Sequence, residues 1–272
     1  MKTRIISGTL IVVVAAAVLG LSLKFSVILP IAFALLGVIA VTEALYTTGI
    51  VKNKIITGVG AVLAAIVPFV FSGLIPVSLG LIYTVFAVVQ FALYLKFHKS
   101  INADGMFGMI LLPIVISYGF SAFSALAQAE NTKLFYVILT LCWSAISDTG
   151  AYFTGVLCGK HKMSPVISPK KTWEGLAGGM IFSILSVLLV CLLYKGAFDV
   201  NVNLYPALCI TPVFVLVGVL GDLTASIIKR KCGIKDFGKL IPGHGGIMDR
   251  FDSNLMIAPL FYQFILLFPL VK

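Results

Sequence analysis

The feature that most constrains this chain is a series of apolar runs, each about as long as a membrane-crossing helix. Nine such runs occur, at roughly 4–23, 26–46, 55–72, 74–95, 107–127, 134–157, 174–194, 204–228 and 253–271. A bilayer core about 30 Å thick requires about 20 apolar residues in α-helical conformation. Hydrophobic residues make up 60% of the sequence, and the mean hydropathy is +1.11. The pattern predicts an all-α polytopic membrane protein with about nine transmembrane helices.

The 272 residues contain no evident linker, low-complexity tract or internal repeat. We therefore expect a single integral membrane domain over 1–272, with N-terminal helices at 1–140 and a motif-bearing part at 141–272. The first apolar run continues past Gly20 without a small-residue cleavage site. It is therefore expected to be retained as the first helix rather than removed as a signal peptide.

Basic residues are distributed very unevenly between the two sides of the predicted membrane. Sixteen of the twenty fall at the N-terminus and in the loops on its side, and only Lys24, Lys133, Lys195 and Lys272 fall on the other. Because cytoplasmic loops collect Lys and Arg, this bias predicts a cytoplasmic N-terminus, cytoplasmic motif loops and an external C-terminus. The same bias accounts for the net charge of +10. We therefore do not expect nucleic-acid binding.

The five cysteines form no CxxC pair, and four lie in or beside apolar runs. This spacing favours buried free thiols over a metal cluster or a disulfide framework.

Three acidic residues fall within predicted spans, near the cytoplasmic side. They are Glu43, Asp148 and Asp222. A charged side chain at the bilayer centre costs about 2.5–3.5 kcal/mol on insertion scales and less near the interface. We expect these acids to face a polar active-site cavity on the cytoplasmic side, although Glu43 has no motif around it and could equally be structural.

Charge is concentrated in one stretch, residues 221–252, which holds four of the ten acidic and six of the twenty basic residues. Asp222, Ser226 and Arg230 are spaced to share one helical face, and the helix should end near Gly233. A polar loop follows, and then a glycine-rich segment at 243–246 whose backbone N–H groups could cradle phosphate oxygens. Two acids separated by a basic, glycine-rich loop indicate a divalent metal together with a polyphosphate.

These residues resemble the signature of the phosphatidate cytidylyltransferase family, also called CDP-diacylglycerol synthases. The matching pattern is Ser226-x2-Lys229-Arg230-x4-Lys235-Asp236-x-Gly238-x3-Pro242-x-His244-Gly245-Gly246-x2-Asp249-Arg250-x-Asp252. A second segment is similar to the family's preceding motif, and it comprises Asp148, Gly150, Tyr152, Gly155, Gly159, Lys160 and the run 168–175. The resemblance covers roughly 148–252; the first 140 residues match only in being hydrophobic.

The resemblance implies an enzyme that joins CTP to phosphatidic acid, giving CDP-diacylglycerol and pyrophosphate for phospholipid synthesis. It implies metal ligation by Asp222 and Asp249, and catalytic roles for these acids with Lys229 and Arg250. Mg²⁺ is the expected cofactor, Asp252 could join the metal site, and there is room for a second cation such as K⁺. We expect substrate binding by Asp148, Tyr152, Ser168, Lys170, Lys171, Thr172, Ser226, Arg230, Lys235, Asp236, His244, Gly245 and Gly246. The resemblance further implies a homodimer in the bilayer of the cell (inner) membrane.

Simpler roles remain open for several of these residues. Asp222 and Asp249 could be helix-end acids paired with Lys229 and Arg250. The lysines of the 168–175 run could anchor a helix whose N-cap is Thr172. His244 is expected to support the loop or contact triphosphate rather than act as a base, because the attacking phosphate is already ionised. The glycines near Asp148 could serve only close helix packing.

Two other functions compete with this one. A secondary transporter would also place acids within its spans, but it would tend to show inverted repeats with sites near the midplane, whereas here the motifs occur once and lie near one interface. A nearer alternative is a related enzyme that uses CTP with another lipid phosphate, such as an isoprenoid-ether lipid.

Overall fold

The computed structural model describes residues 2–129, 134–198 and 201–271. Most of these residues are helical. In chain order the elements are α1 (Lys2–Ser22), α2 (Ile28–Thr42), a π-helical turn (Glu43–Thr47), α3 (Lys54–Phe71), α4 (Leu79–Phe97), α5 (Ala103–Gln128), α6 (Phe135–Leu141), a second π-helical turn (Cys142–Ile146), α7 (Ser147–Cys158), β1 (Lys162–Ser164), β2 (Ser168–Thr172), α8 (Trp173–Phe198), α9 (Leu204–Lys231), α10 (Met248–Phe251) and α11 (Asn254–Leu267).

Each of the nine apolar runs overlaps a helix, and the chain is an integral membrane protein. Six helical segments of the described chain are long and apolar enough to cross a bilayer: Ile28–Thr47, Lys54–Phe71, Leu79–Phe97, Ala103–Gln128, Trp173–Ala197 and Leu204–Lys231. The other three runs fall on α1, on the α6–α7 segment that a π-helical turn interrupts, and on the shorter α11. A count of nine spans stays a prediction, and two of the lysines used to predict orientation, Lys133 and Lys272, lie outside the described residues.

The chain divides into two compact units. Unit 1 comprises Met1–Ala125 and Lys229–Phe251, and unit 2 comprises Leu126–Ile228 and Asp252–Lys272. The expectation of a single domain stays a prediction.

Aromatic side chains form part of the core of unit 1. Phe33 of α2 stacks on Phe123 of α5 with ring centroids 5.2 Å apart. Phe120, also on α5, contacts Phe251 at 5.2 Å. Phe251 ends α10 and lies near the end of the charged stretch 221–252. The apolar core therefore anchors the short helix that follows the predicted glycine-rich segment.

The core of unit 2 is built around Trp143 in the second π-helical turn. Its ring stacks on Phe214 of α9, with centroids 4.5 Å apart, and meets Phe261 of α11 edge to face at 4.6 Å. The indole N–H donates to the Thr211 hydroxyl at 3.0 Å, so the buried polar atom is satisfied. Helices α7 and α8 approach closely at Gly178, where a Cβ would lie 2.7 Å from Thr154 Cγ2.

One element was not expected from the sequence. Strands β1 and β2 form an antiparallel hairpin in which Lys162 pairs with Thr172 and Ser164 pairs with Ser168. Thr172 then caps α8, since its hydroxyl accepts the Gly175 N–H at 3.1 Å. The predicted helix start is therefore confirmed. The all-α prediction holds for the rest of the described chain, because this short polar hairpin lies between two helices.

Candidate active site

The predicted site residues fall into two groups, which we treat separately. The first group, the hairpin site, belongs to unit 2 and consists of Asp148, Tyr152, Ser168, Lys170, Lys171, Thr172 and Asp222. The second, the glycine-loop site, belongs to unit 1 and consists of Lys229 and residues 235–250. Residues 237–248 within it are called the glycine loop below.

A cavity of about 250 Å³ defines the hairpin site. Strand β2 and the start of α8 form one wall, and α7 forms another. Six of the thirteen predicted substrate-binding residues line this cavity: Asp148, Tyr152, Ser168, Lys170, Lys171 and Thr172. These residues lie in two separate segments, 148–152 and 168–172, and the fold brings the two segments together around one cavity. Asp148 therefore lines a cavity, in addition to lying on a helix with closely packed glycines.

Asp222 joins the hairpin site through an ion pair with Lys171. The Asp222 side chain is 25% exposed and remains open to solvent or a ligand. The Lys171 side chain is 21% exposed, but its ammonium nitrogen is buried against this carboxylate. The other carboxylate oxygen, Oδ1, lies 3.5 Å from the Ser226 hydroxyl, one helical turn further along α9. The predicted shared face of these two residues is confirmed. The partner of Asp222 is a hairpin lysine, whereas the simpler salt-bridge interpretation had assigned Lys229 or Arg250.

His161 and Glu174 interact at the start of the hairpin, where the chain enters β1 and leaves β2. His161 Nδ1 lies 2.6 Å from Glu174 Oε1, and the His161 backbone N–H also donates to this carboxylate at 3.2 Å. The His161 side chain is 79% exposed, although it forms this ion pair. Glu174, in the first turn of α8, therefore ties the start of the hairpin to the helix that follows it.

Asp249 is the central acid of the glycine-loop site, and its side chain is only 3% exposed. Its Oδ1 accepts a charged hydrogen bond from Lys229 Nζ at 2.8 Å. Its Oδ2 accepts the Phe237 N–H at 2.8 Å and the Gly246 N–H at 3.0 Å. One buried carboxylate therefore joins the end of α9 to the start of the glycine loop and to Gly246. The salt bridge to Lys229 proposed as the simpler alternative is present, together with two backbone contacts that the sequence did not indicate.

A second cavity, of about 400 Å³, opens beside the glycine loop. The described residues that line it include the exposed cations Lys235, Lys239 and Arg250, one carboxylate, Asp236, and the backbone of the glycine loop. Gly243 and Gly245 adopt left-handed φ values of 78° and 83°, a conformation that glycine adopts without strain. An excess of positive charge around accessible backbone suits an anion such as a phosphate group.

His244, between these two glycines, is held by Ser7 of α1. The Ser7 hydroxyl lies 2.9 Å from the Pro242 carbonyl oxygen and 2.8 Å from His244 Nδ1. Because a carbonyl can only accept and a hydroxyl has one hydrogen, Nδ1–H must be the donor to Ser7. This geometry favours the loop-supporting role expected for His244, and among the described residues Nε2 has no hydrogen-bond partner. Ser7 was missed because it lies in an apolar run with no motif.

The remaining predicted residues lie outside these two groups. Arg230 is exposed in the last turn of α9, which ends near Gly233 as expected. Asp252 accepts the N–H of its own neighbour, Ser253, at 2.8 Å. Within the described ranges, no three His, Cys, Asp or Glu side chains come together as a metal-binding cluster. Since Mg²⁺ commonly takes only one or two carboxylates, the predicted metal site does not require such a cluster.

All five cysteines are free thiols, as expected. Cys142 and Cys191 are buried, but Cys158 and Cys209 are exposed, so the prediction of burial is wrong for these two. Burial raises the pKa of the Cys232 thiol, which lies in the loop after α9. The thiol is therefore protonated at neutral pH and is unsuited to act as a nucleophile.

Fold and site together define a helical integral membrane protein with two cavities that are lined by residues of the sequence motifs. The model of the cytidylyltransferase family matches this chain over residues 2–268. The chain belongs to that family.

Individual relatives match over shorter stretches. A protein of Staphylococcus saprophyticus named phosphatidate cytidylyltransferase is 44% identical over 145 residues, covering 53% of this chain and 54% of the relative. A protein of the same name from Staphylococcus epidermidis is 40% identical over 181 residues, covering 66% of each chain. A third, from Staphylococcus aureus, is 41% identical over 145 residues, covering 53% of this chain and 54% of the relative. The matched part thus spans from about half to just under two thirds of these relatives' lengths.

Proposed function

We propose that this protein transfers a cytidylyl group from CTP to phosphatidic acid, forming CDP-diacylglycerol and pyrophosphate. The observation that carries the proposal is the family match over residues 2–268, with relatives named phosphatidate cytidylyltransferase at 40–44% identity. The two cavities support it independently of those names, because lysine or arginine side chains line both and this reaction has to hold two phosphate-bearing substrates.

In the proposed reaction, an oxygen of the lipid phosphate attacks the α-phosphorus of CTP. A new P–O bond forms there, the bond from the α-phosphorus to the bridging oxygen breaks, and pyrophosphate leaves with that electron pair. Catalysis of such a transfer rests mainly on positioning and on neutralising charge. Lys170 and Lys171 in the hairpin site, and Lys229, Lys235 and Arg250 in the glycine-loop site, are the groups we assign to that task. The lipid phosphate is already ionised at neutral pH, so no general base is required.

The acids fit the proposed Mg²⁺ to different degrees. Asp222 offers hard carboxylate oxygens that are partly exposed, beside a hydroxyl at 3.5 Å. Asp249 has three internal donors and 3% exposure, so only its remaining lone pairs could face a ligand. When bound, Mg²⁺ would neutralise charge on the phosphate oxygens. Asp222 is the stronger candidate ligand, and Asp252 and a second cation such as K⁺ remain secondary parts of the proposal.

We place the reaction at the cytoplasmic surface of the cell membrane, with about nine spans, a cytoplasmic N-terminus and an external C-terminus. Acyl chains leave the bilayer only at a large cost, whereas CTP arrives from water. The sixteen-to-four distribution of basic residues supports this orientation. A reporter fused after Lys272 should be external and one inserted at Lys239 cytoplasmic; a cytoplasmic signal from both would require an even number of spans. The homodimer implied by the family resemblance is also part of the proposal.

The acceptor lipid can be tested directly. Purified protein in lipid nanodiscs would receive CTP labelled in the α-phosphate and one lipid phosphate at a time: phosphatidic acid, an isoprenoid-ether lipid phosphate, or water-soluble glycerol 3-phosphate as the control. We expect label in the lipid extract with phosphatidic acid and at most a few per cent of that rate with the others. A faster reaction with the isoprenoid-ether phosphate would assign the protein to the related enzyme class, and no transfer to any lipid would overturn the proposal.

A further inference from the structure

Glu43 is a buried acid to which neither the motifs nor the proposed mechanism assigns a role. It begins the π-helical turn that follows α2, within the candidate span Ile28–Thr47, and it is 6% exposed. Ionisable residues inside membrane spans are costly and are retained mainly where they have partners and a function. π-Helical turns also occur frequently at functional sites. The partners of Glu43 therefore indicate what it does.

Those partners are in the glycine loop. The Met248 N–H donates to Glu43 Oε2 at 2.9 Å, across a separation of 205 residues in sequence. The rest of the carboxylate lies against two glycines of the loop. A Cβ built on Gly238 would lie 2.6 Å from the Glu43 carboxyl carbon, and one built on Gly246 would lie 2.5 Å from it.

Neither of these glycines is required by backbone conformation. The described glycines with left-handed φ are Gly49, Gly73, Gly233, Gly243 and Gly245, so alanine could adopt the backbone angles of Gly238 and Gly246. What alanine could not do is share the space with the Glu43 carboxylate. The glycine requirement at these two positions is therefore steric, and Glu43 is its cause.

We propose that Glu43 is a positioning residue that holds the glycine loop in the shape that forms the phosphate cavity. Gly238 and Gly246 must then be glycines because any larger residue would clash with the Glu43 carboxylate. Asp249 holds Phe237 N and Gly246 N, while Glu43 holds Met248 N. The two acids together fix the loop near its start, near Gly246 and at its end. Glu43 does not itself line the cavity whose walls include Gly238, His244 and Gly245. The assignment of this cavity to a phosphate group of the nucleotide rests on the proposed function.

The first test compares two substitutions of Glu43. Glu43→Gln keeps the length and an acceptor oxygen for Met248 N–H, whereas Glu43→Ala removes both. Losing a hydrogen bond to a charged acceptor is expected to speed amide exchange across residues 237–248 by about 10-fold or more in Glu43→Ala. The KM for CTP should rise by a similar factor with kcat changed less, and Glu43→Gln should recover most of both effects.

The exposed acid Asp104, in the first turn of α5, supplies the matched control. Asp104→Asn should leave exchange and KM within about twofold of the original protein, the range of ordinary surface substitutions. Unchanged exchange and unchanged KM in Glu43→Ala would overturn the proposal. A uniform rise in exchange over the whole chain, with KM unaffected, would also overturn it, because Glu43 would then support the fold in general.

The second test asks whether Glu43 is the reason for Gly246. Gly246→Ala should reduce activity at least about 10-fold on its own, since overpacking displaces a loop that must be placed accurately. In the Glu43→Ala background the added methyl group has room, so Gly246→Ala should there cost less than about twofold. Gly80→Ala, in open space on α4, is the control and should be silent in both backgrounds.

Equal penalties for Gly246→Ala in both backgrounds would refute the steric link. Should Glu43→Ala not yield folded protein, Glu43→Asp takes its place, because the shorter side chain withdraws the carboxylate and should relieve part of the penalty. Amide exchange does not depend on the reaction. Loop protection that follows Glu43 in a protein without cytidylyl transfer would therefore contradict the proposed function while retaining Glu43 as the loop's anchor.

Discussion

The two polar sites use the same residue type in opposite ways. In the hairpin site, Asp222 is a quarter exposed and pairs with one lysine. In the glycine-loop site, Asp249 is almost fully buried and accepts three hydrogen bonds, two of them from backbone N–H groups. Both acids lie in the charged stretch 221–252, so the sequence does not distinguish their roles, but the two side chains differ in burial. Asp222 is available to a ligand, and Asp249 organises the peptide segment around it.

The largest expected effect is that of Asp249→Asn. Asparagine offers one acceptor oxygen where the carboxylate serves three donors, and the buried Lys229 ammonium loses its counter-charge. Breaking a buried ion pair from one side typically costs about 3–5 kcal/mol. We expect cytidylyl transfer to fall at least about 100-fold and the unfolding temperature of the purified protein to fall as well. Lost activity with an unchanged unfolding temperature would mean that Asp249 is primarily a ligand and would remove the contrast with Asp222.

Asp222→Asn should affect activity but not the fold. Its side chain is partly exposed and its one ion pair among the described residues is with Lys171, so the loss in stability should stay within about 1 kcal/mol. Losing an electrostatic contributor of this kind is expected to reduce transfer at least about 100-fold. The measurements are turnover at saturating Mg²⁺ and CTP, and thermal unfolding. Turnover like that of the original protein would remove Asp222 from the site.

The two hairpin lysines also differ in burial, and replacing the more buried one should reduce activity more. Both effects should be smaller than those of the two acids. Lys171 is partly buried and ion-paired, whereas Lys170 is exposed. Both line the cavity. Lys171→Gln should reduce kcat/KM about 10- to 100-fold, and Lys170→Gln about threefold, because an exposed cation is screened by solvent and salt. Equal losses, both erased at high salt, would indicate that the lysines act only through the general potential of the surface.

The sequence predicts the helices and half of the residues that line the two cavities. Apolar runs of spanning length predict helices with little ambiguity, and the spacing of Asp222 and Ser226 predicts a shared face. The contacts that shape the glycine loop could not be predicted from the sequence. Glu43 and Met248 are separated by 205 residues, and Ser7 and His244 by 237; such contacts leave no local pattern. The hairpin was missed because its polar strands lack the alternation of a half-buried sheet.

The central claim is that this protein breaks CTP between its α- and β-phosphates and leaves the α-phosphate on a lipid. The most direct test is a parallel reaction of the purified protein with phosphatidic acid and CTP labelled either at the α- or at the γ-phosphate. We expect α-label in the lipid extract and γ-label in pyrophosphate, released in equal amounts. γ-Label in the lipid, which would signify phosphoryl transfer, or lipid-independent release of inorganic phosphate would contradict it.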